Sequence, residues 1–144
     1  MPDSSPWLMW ALLSAAFAAM TAILAKLGVQ GVDPDLATWV RTVVVIVALS
    51  GFVVATGKWR NPAELGSRTL LFLTLSGLAT GASWLCYFRA LKYGAASKVA
   101  PVDKFSVVLV AVFAFMFLAE RPSGRDWIGI CLVAAGVVLL AVRA

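Results

Sequence analysis

The chain has 144 residues, 62% of them hydrophobic and only 13% charged, with a mean hydropathy of +0.93; soluble globular domains carry about a quarter of their residues as charge. Composition therefore excludes a water-soluble fold and indicates an integral membrane protein with room for about five spans joined by short loops. Its 12 Lys and Arg outnumber 7 Asp and Glu, but with no soluble basic face to carry nucleic acid these positives read as loop charges that anchor topology.

Met1 to Pro6 is a short polar start containing Asp3 and no Lys or Arg, unlike the positive n-region of a cleaved signal peptide. The first span is expected over about Trp7 to Ala25, with Trp7 and Trp10 as interfacial anchors and Ser14, Ala18 and Ala22 spaced for close helix contact. Lys26 ends it. Gly28 to Asp35 reads as a loop, and the last Asp of its Asp33-Pro34-Asp35 turn can cap the next helix. The second span, Leu36 to Thr56, holds Arg41 roughly 8 Å along its axis. A polar loop, Gly57 to Arg68, leads to the third span, Thr69 to Phe88, closed by Arg89 and Lys92. Its Gly77 and Gly81 form a GxxxG pattern that permits close backbone approach, within one chain or between two. Trp84 lies well inside this span, where it either packs in the core or lines a cavity. The fourth span covers Ala95 to Ala119. After the loop Glu120 to Asp126 the fifth runs from Trp127 to Val142, with Gly129 and Gly136 as packing notches.

The fourth span is divided in character. Phe105 to Ala119 has no charge, whereas the half before it holds Lys98, Asp103 and Lys104. At about 100° per residue, Asp103 lies roughly 140° round the helix from Lys98, and Lys104 a further ~100°, so the charges surround the helix. A charged side chain at mid-bilayer costs at least ~2.5–3.5 kcal/mol. This half-helix is expected to be wrapped by protein or to line a wet cavity. Pro101 adds to the case, because it frees a carbonyl one turn back that something else must satisfy. Arg41 and Asp103 enter their spans from the same face, as do Lys26 and Lys104. Two readings follow: Arg41 and Asp103 neutralise each other between spans two and four, or the cluster faces a substrate path and the carboxylate changes partner or protonation. A locally positive cavity suits an anionic or zwitterionic metabolite.

Sidedness is nearly balanced. Lys58, Arg60, Arg68, Arg121 and Arg125 lie on the N-terminal face, against Lys26, Arg89, Lys92, Lys98 and Arg143 on the other, five against five outside the spans. The positive-inside rule then has little to act on, which fits insertion in both orientations; one fixed orientation set by local features is the alternative. Chemistry is constrained too. No histidine is present, Cys86 and Cys131 fall in apolar spans without metal or redox spacing, and there is no phosphate-cradling glycine loop. An enzyme, a bound metal, a cofactor and ATP dependence are not expected.

The run Tyr87-Phe88-Arg89-Ala90-Leu91-Lys92-Tyr93-Gly94-Ala95-Ala96, then Val99-Ala100-Pro101, resembles the repeat of the drug/metabolite transporter superfamily in its EamA-type branch. Phe117-Leu118-Ala119-Glu120-Arg121-Pro122, the glycines Gly129 and Gly136 and the early Arg41 carry the same resemblance, which covers nearly the whole chain. Members usually hold two five-helix repeats of opposite orientation in one polypeptide, and this chain looks like one. The resemblance implies a missing half, supplied by another chain. It gives Glu120 the place of a glutamate that follows the fourth helix, a loop anchor beside Arg121 or a transport residue. The small polar residues usual after Pro101 are replaced by Asp103 and Lys104. The first span lacks the embedded glutamate of the superfamily's four-helix multidrug exporters, so their mechanism does not carry over.

The expectation is an all-α membrane protein of five transmembrane helices, one EamA-type half completed by an antiparallel second copy. It would be a multi-pass inner-membrane secondary transporter of a small polar metabolite or drug, contacting lipid, its copy and the substrate. Asp103, Lys104, Arg41, Lys26 and Trp84 are the substrate or coupling candidates. Two alternatives are a lipid-linked sugar flippase and a non-transporting partner subunit.

Overall fold

A computed structural model describes residues 5–142. The polar start through Ser4, with Asp3, and Arg143 of the charge balance lie outside them. Six α-helices follow in order: α1 (Ser5–Gly28), α2 (Pro34–Ala55), α3 (Ser67–Tyr93), α4 (Ala96–Asp103), α5 (Ser106–Phe117) and α6 (Gly124–Val142), with a 3₁₀ turn at Pro62–Glu64. Among the described residues there is no strand. Five stretches are long and apolar enough to cross a bilayer: Trp7–Gly28, Pro34–Ala55, Ser67–Tyr93, Ala96–Phe117 and Gly124–Val142. Their side chains face largely outward, with no more than 11% of any span's most apolar stretch buried. Surface of that kind is stable against lipid or another helix, not water.

The chain divides into two compact units: Leu24–Tyr93, and the remainder made of the chain up to Ile23 together with everything from Gly94. In Leu24–Tyr93, α2 and α3 pair as a helical hairpin. Val29, Phe88 and Leu91 are its most deeply buried apolar side chains. The start of α2 departs from the expected cap. Asp33, not Asp35, takes the cap position, its Oδ1 accepting from the N–H groups of Asp35 (2.9 Å) and Leu36 (3.2 Å). The reason is Pro34: its fixed φ and missing donor suit the first helical position, which makes the preceding residue the cap. At the other end Gly57 adopts φ 65°, and the N–H groups of Gly57 and Lys58 return to Val54 O and Val53 O, each at 3.0 Å. This left-handed closure is the one a glycine makes cheaply.

In the other unit α6 packs against both α4 and α5, with Ala114 and Val137 buried and Phe115 meeting Trp127 edge-on at 6.3 Å between centroids. Ser123 and Asp126 start α6 as a reciprocal capping box: Asp126 Oδ2 accepts from the Ser123 N–H and hydroxyl, both at 2.7 Å, and Ser123 Oγ accepts from the Asp126 N–H at 3.4 Å. The fourth span is two helices rather than one. At the junction hydrogen bonding tightens from i−4 to i−3, with Lys104 N–H to Pro101 O, Phe105 N–H to Val102 O, Val107 N–H to Lys104 O and Val108 N–H to Phe105 O, all 2.9–3.0 Å. Pro101 starts this change: inside α4 its ring removes one donor and crowds the preceding turn.

Candidate functional site

The sequence-derived candidates fall into two groups, one in each unit. In Leu24–Tyr93 the cations Arg89, Lys26 and Arg41 lie where α2 begins and α3 ends, and each is held differently. Arg89 forms a forked pair with Asp35, Nε to Oδ1 at 3.0 Å and Nη2 to Oδ2 at 2.8 Å. Lys26 Nζ donates to the backbone carbonyl of Leu91 at 2.5 Å, one of the last-turn carbonyls that have no partner inside their own helix. A cation there also complements the negative end of the α3 dipole.

Arg41, on α2, meets rings. Its guanidinium carbon sits 4.2 Å from the centroid of Trp84 and 5.5 Å from that of Phe88. These rings are four residues apart on α3 and so share a face. Phe88 is 3% exposed, while Arg41 and Trp84 are half-buried. Arg41 lies seven residues from the start of α2, roughly 10 Å along the axis. The result is a guanidinium at membrane depth steadied by π-faces, an attraction that strengthens as water is excluded. Phe88 carries no charge or polar group to single it out; the signal for it was the four-residue step from Trp84. Asp35 and Arg89 were likewise separated in sequence, and only the antiparallel pairing of α2 with α3 brings them together.

The second group sits at the α4–α5 junction. Asp103 ends α4 and Lys104 occupies the turn, with Lys104 Nζ 3.6 Å from Asp103 Oδ2. Both side chains are open, 37% exposed for Asp103 and 56% for Lys104. Pro101 lies one turn before, within α4. Half-helix ends inside a membrane span present uncommitted backbone groups, and such breaks recur where transporters bind substrate or ions. Glu120 lies beyond α5, where Ala119 adopts φ 53° and the Glu120 N–H turns back to Ala114 O at 3.3 Å. With Phe115, Ala119, Arg121 and Pro122, Glu120 lines an open pocket of about 430 Å³. Gly77, Gly81, Gly129 and Gly136 share one property: a Cβ added at any of them would meet no neighbouring atom within 4 Å. Among the described residues no group of three or more His, Cys, Asp or Glu could hold a metal ion.

The model of the EamA-like transporter family matches residues 5–142. The chain belongs to the EamA-like transporter family. It is 56% identical over 139 residues to an "uncharacterized transporter in cobO 3'region" of Sinorhizobium sp, covering 96% of this chain and 99% of that one. It is 25% identical over 137 residues to the "uncharacterized transporter YxxF" of Bacillus subtilis, covering 94% of this chain but 42% of that longer protein. A third similarity, 28% over 86 residues, is to the "probable 4-amino-4-deoxy-L-arabinose-phosphoundecaprenol flippase subunit ArnE" of Hamiltonella defensa, across 60% of this chain and 76% of that subunit. No solved structure matches. Placed in the EamA-like family, the five apolar stretches are those of a multi-pass membrane transporter.

Proposed function

We propose that this EamA-like chain is one half of a secondary active transporter of the inner membrane, completed by an antiparallel copy of itself and moving a small polar metabolite by alternating access. The observation that carries the reading is the broken fourth span, with Asp103 and Lys104 at the break. An ionisable pair inside a span is expensive in lipid and is ordinarily retained where it handles a substrate or coupling ion. Asp103 and Lys104 are assigned the coupling role, and Arg41, Lys26 and Trp84 the substrate side. Glu120 and Pro101 serve structure, Glu120 as the anchor of the loop after α5.

The second copy is supported by two facts. This chain aligns with only 42% of the longer relative, the proportion expected of one repeat where two are needed. The glycines Gly77, Gly81, Gly129 and Gly136 leave open notches of the type that lets helices from two chains approach closely. The test is flux: the purified chain, alone in proteoliposomes, should exchange radiolabelled polar metabolites from a mixed pool against an imposed ion gradient. Absence of flux for every solute would overturn self-sufficient transport. It would favour a second reading, a subunit of a lipid-linked sugar flippase, which the similarity to the flippase subunit supports.

A further inference from the structure

Arg41 differs from Arg89 and Lys26 in what it leaves unused. Arg89 has spent its fork on Asp35, and Lys26 donates to Leu91 O. Arg41 has Trp84 and Phe88 against it, and within Leu24–Tyr93 no oxygen accepts from its guanidinium. A ring takes a cation by its π-face and accepts no in-plane N–H, so a guanidinium lying over an indole keeps its donor edge for another partner. That edge is a planar fork whose geometry matches two oxygens of one carboxylate or phosphate group.

From this arrangement we infer that Arg41, shelved on Trp84 and Phe88, is an oxyanion-binding site that takes a carboxylate or phosphate group through two parallel hydrogen bonds. The division of labour among the cations makes it selective. Asp35 is engaged by Arg89 and Asp33 caps the start of α2, so neither carboxylate at this end of the unit is committed to Arg41. The Trp84 ring limits the rotamers open to a long side chain, so less freedom is lost when the anion arrives. Phe88, buried beneath, keeps water from one side of the guanidinium and strengthens attraction on the other. The anion belongs either to a water-soluble solute or to a lipid headgroup, and the chemistry of the fork serves both.

The inference rests on the transporter reading for its purpose, but is testable apart from it. The full chain, purified in neutral maltoside micelles, is titrated with inorganic phosphate or succinate at constant ionic strength in one arm. In the other arm phosphatidic acid is mixed into the micelles, with diacylglycerol as the phosphate-free control. Cumulative binding heat from isothermal titration calorimetry is the readout, because it rises to a plateau as a finite site fills. A saturable rise is expected in at least one arm: with the soluble anions alone it assigns the site to a free solute, with phosphatidic acid alone to a headgroup. Arg41→Lys keeps the charge without the fork and should raise the half-saturating concentration by about tenfold or more. Trp84→Leu should also weaken binding, while Arg60→Gln, in the exposed loop after α2, leaves it unchanged. No saturable rise in either arm, or wild-type half-saturation in both Arg41→Lys and Trp84→Leu, overturns the inference. Arg41-dependent binding in a chain that carries no flux would leave the site standing and remove only the transport reading. Flux alongside Arg41-independent binding would do the reverse.

Discussion

Arg89 and Asp35, 54 positions apart, lock the last turn of α3 to the first turn of α2 through two parallel hydrogen bonds of 3.0 and 2.8 Å. Both side chains are about half exposed, so the pair is screened by salt and contributes modestly despite its favourable geometry. Its value is registry: it fixes which face of α3 meets α2, and so brings Trp84 and Phe88 to Arg41.

That role makes charge exchange informative. Asp35→Arg or Arg89→Asp alone puts like charges together and should lower the thermal midpoint in detergent. The double exchange should restore most of the loss at low salt and less at high salt. Equal midpoints for all four chains would show that the pair holds nothing in register.

Ala119 is the one non-glycine residue with positive φ among those described. For an L-residue with a Cβ that conformation costs roughly 1–2 kcal/mol relative to the right-handed one. Ala119→Gly removes the clash but adds freedom to the unfolded chain, so a net gain of about 0.5–1 kcal/mol is expected. A raised unfolding midpoint would confirm it, and a fall would mean that the methyl group does more by packing beside Glu120 than it costs in strain.

Helix α6 depends on its cap. Ser123→Ala removes both the hydroxyl donated to Asp126 and the oxygen that accepts the Asp126 N–H, a loss of about 1 kcal/mol by the usual scale of such caps. Faster amide hydrogen exchange confined to the first turn of α6 is the expected signature. Unchanged exchange there would show that packing of Trp127 on Phe115, not the cap, starts the helix.

Much of this architecture was legible beforehand, because apolar runs of about 20 residues leave few alternatives to membrane-spanning helices. The helix breaks and side-chain meetings were not. Pro101 announced a disturbed helix, yet the break comes at Lys104, where hydrogen bonding has tightened from i−4 to i−3; residue periodicity carries no record of that switch. Asp35 looked like a cap because it precedes an apolar run, but Pro34 shifts the helix start back and frees Asp35 for Arg89. Arg41 and Trp84 each stood out as an oddity in an apolar span. Their contact depends on the α2–α3 register, a relation between distant segments that neither segment encodes alone. Asp103 and Lys104 were conspicuous for the same energetic reason, charge at membrane depth.

Asp103 carries the sharpest functional prediction. Asp103→Asn keeps size and removes the charge, so the chain should insert and fold while gradient-driven flux is lost. Lys104→Gln, which leaves the carboxylate without its partner at 3.6 Å, should slow flux. Wild-type flux in Asp103→Asn would remove this carboxylate from coupling.

The most direct test of a half-transporter completed by its own inverted copy is topology. Single cysteines are placed at Ser67, where α3 begins, and at Ala95, just before α4, in a chain lacking Cys86 and Cys131, and are labelled from outside intact cells by an impermeant maleimide. An odd number of spans separates the two positions, so one orientation exposes only one of them. Comparable labelling of both is the predicted result, showing chains inserted both ways in one membrane. Labelling at one position alone would contradict the inverted homodimer and point to a different, oppositely inserted chain as the other half.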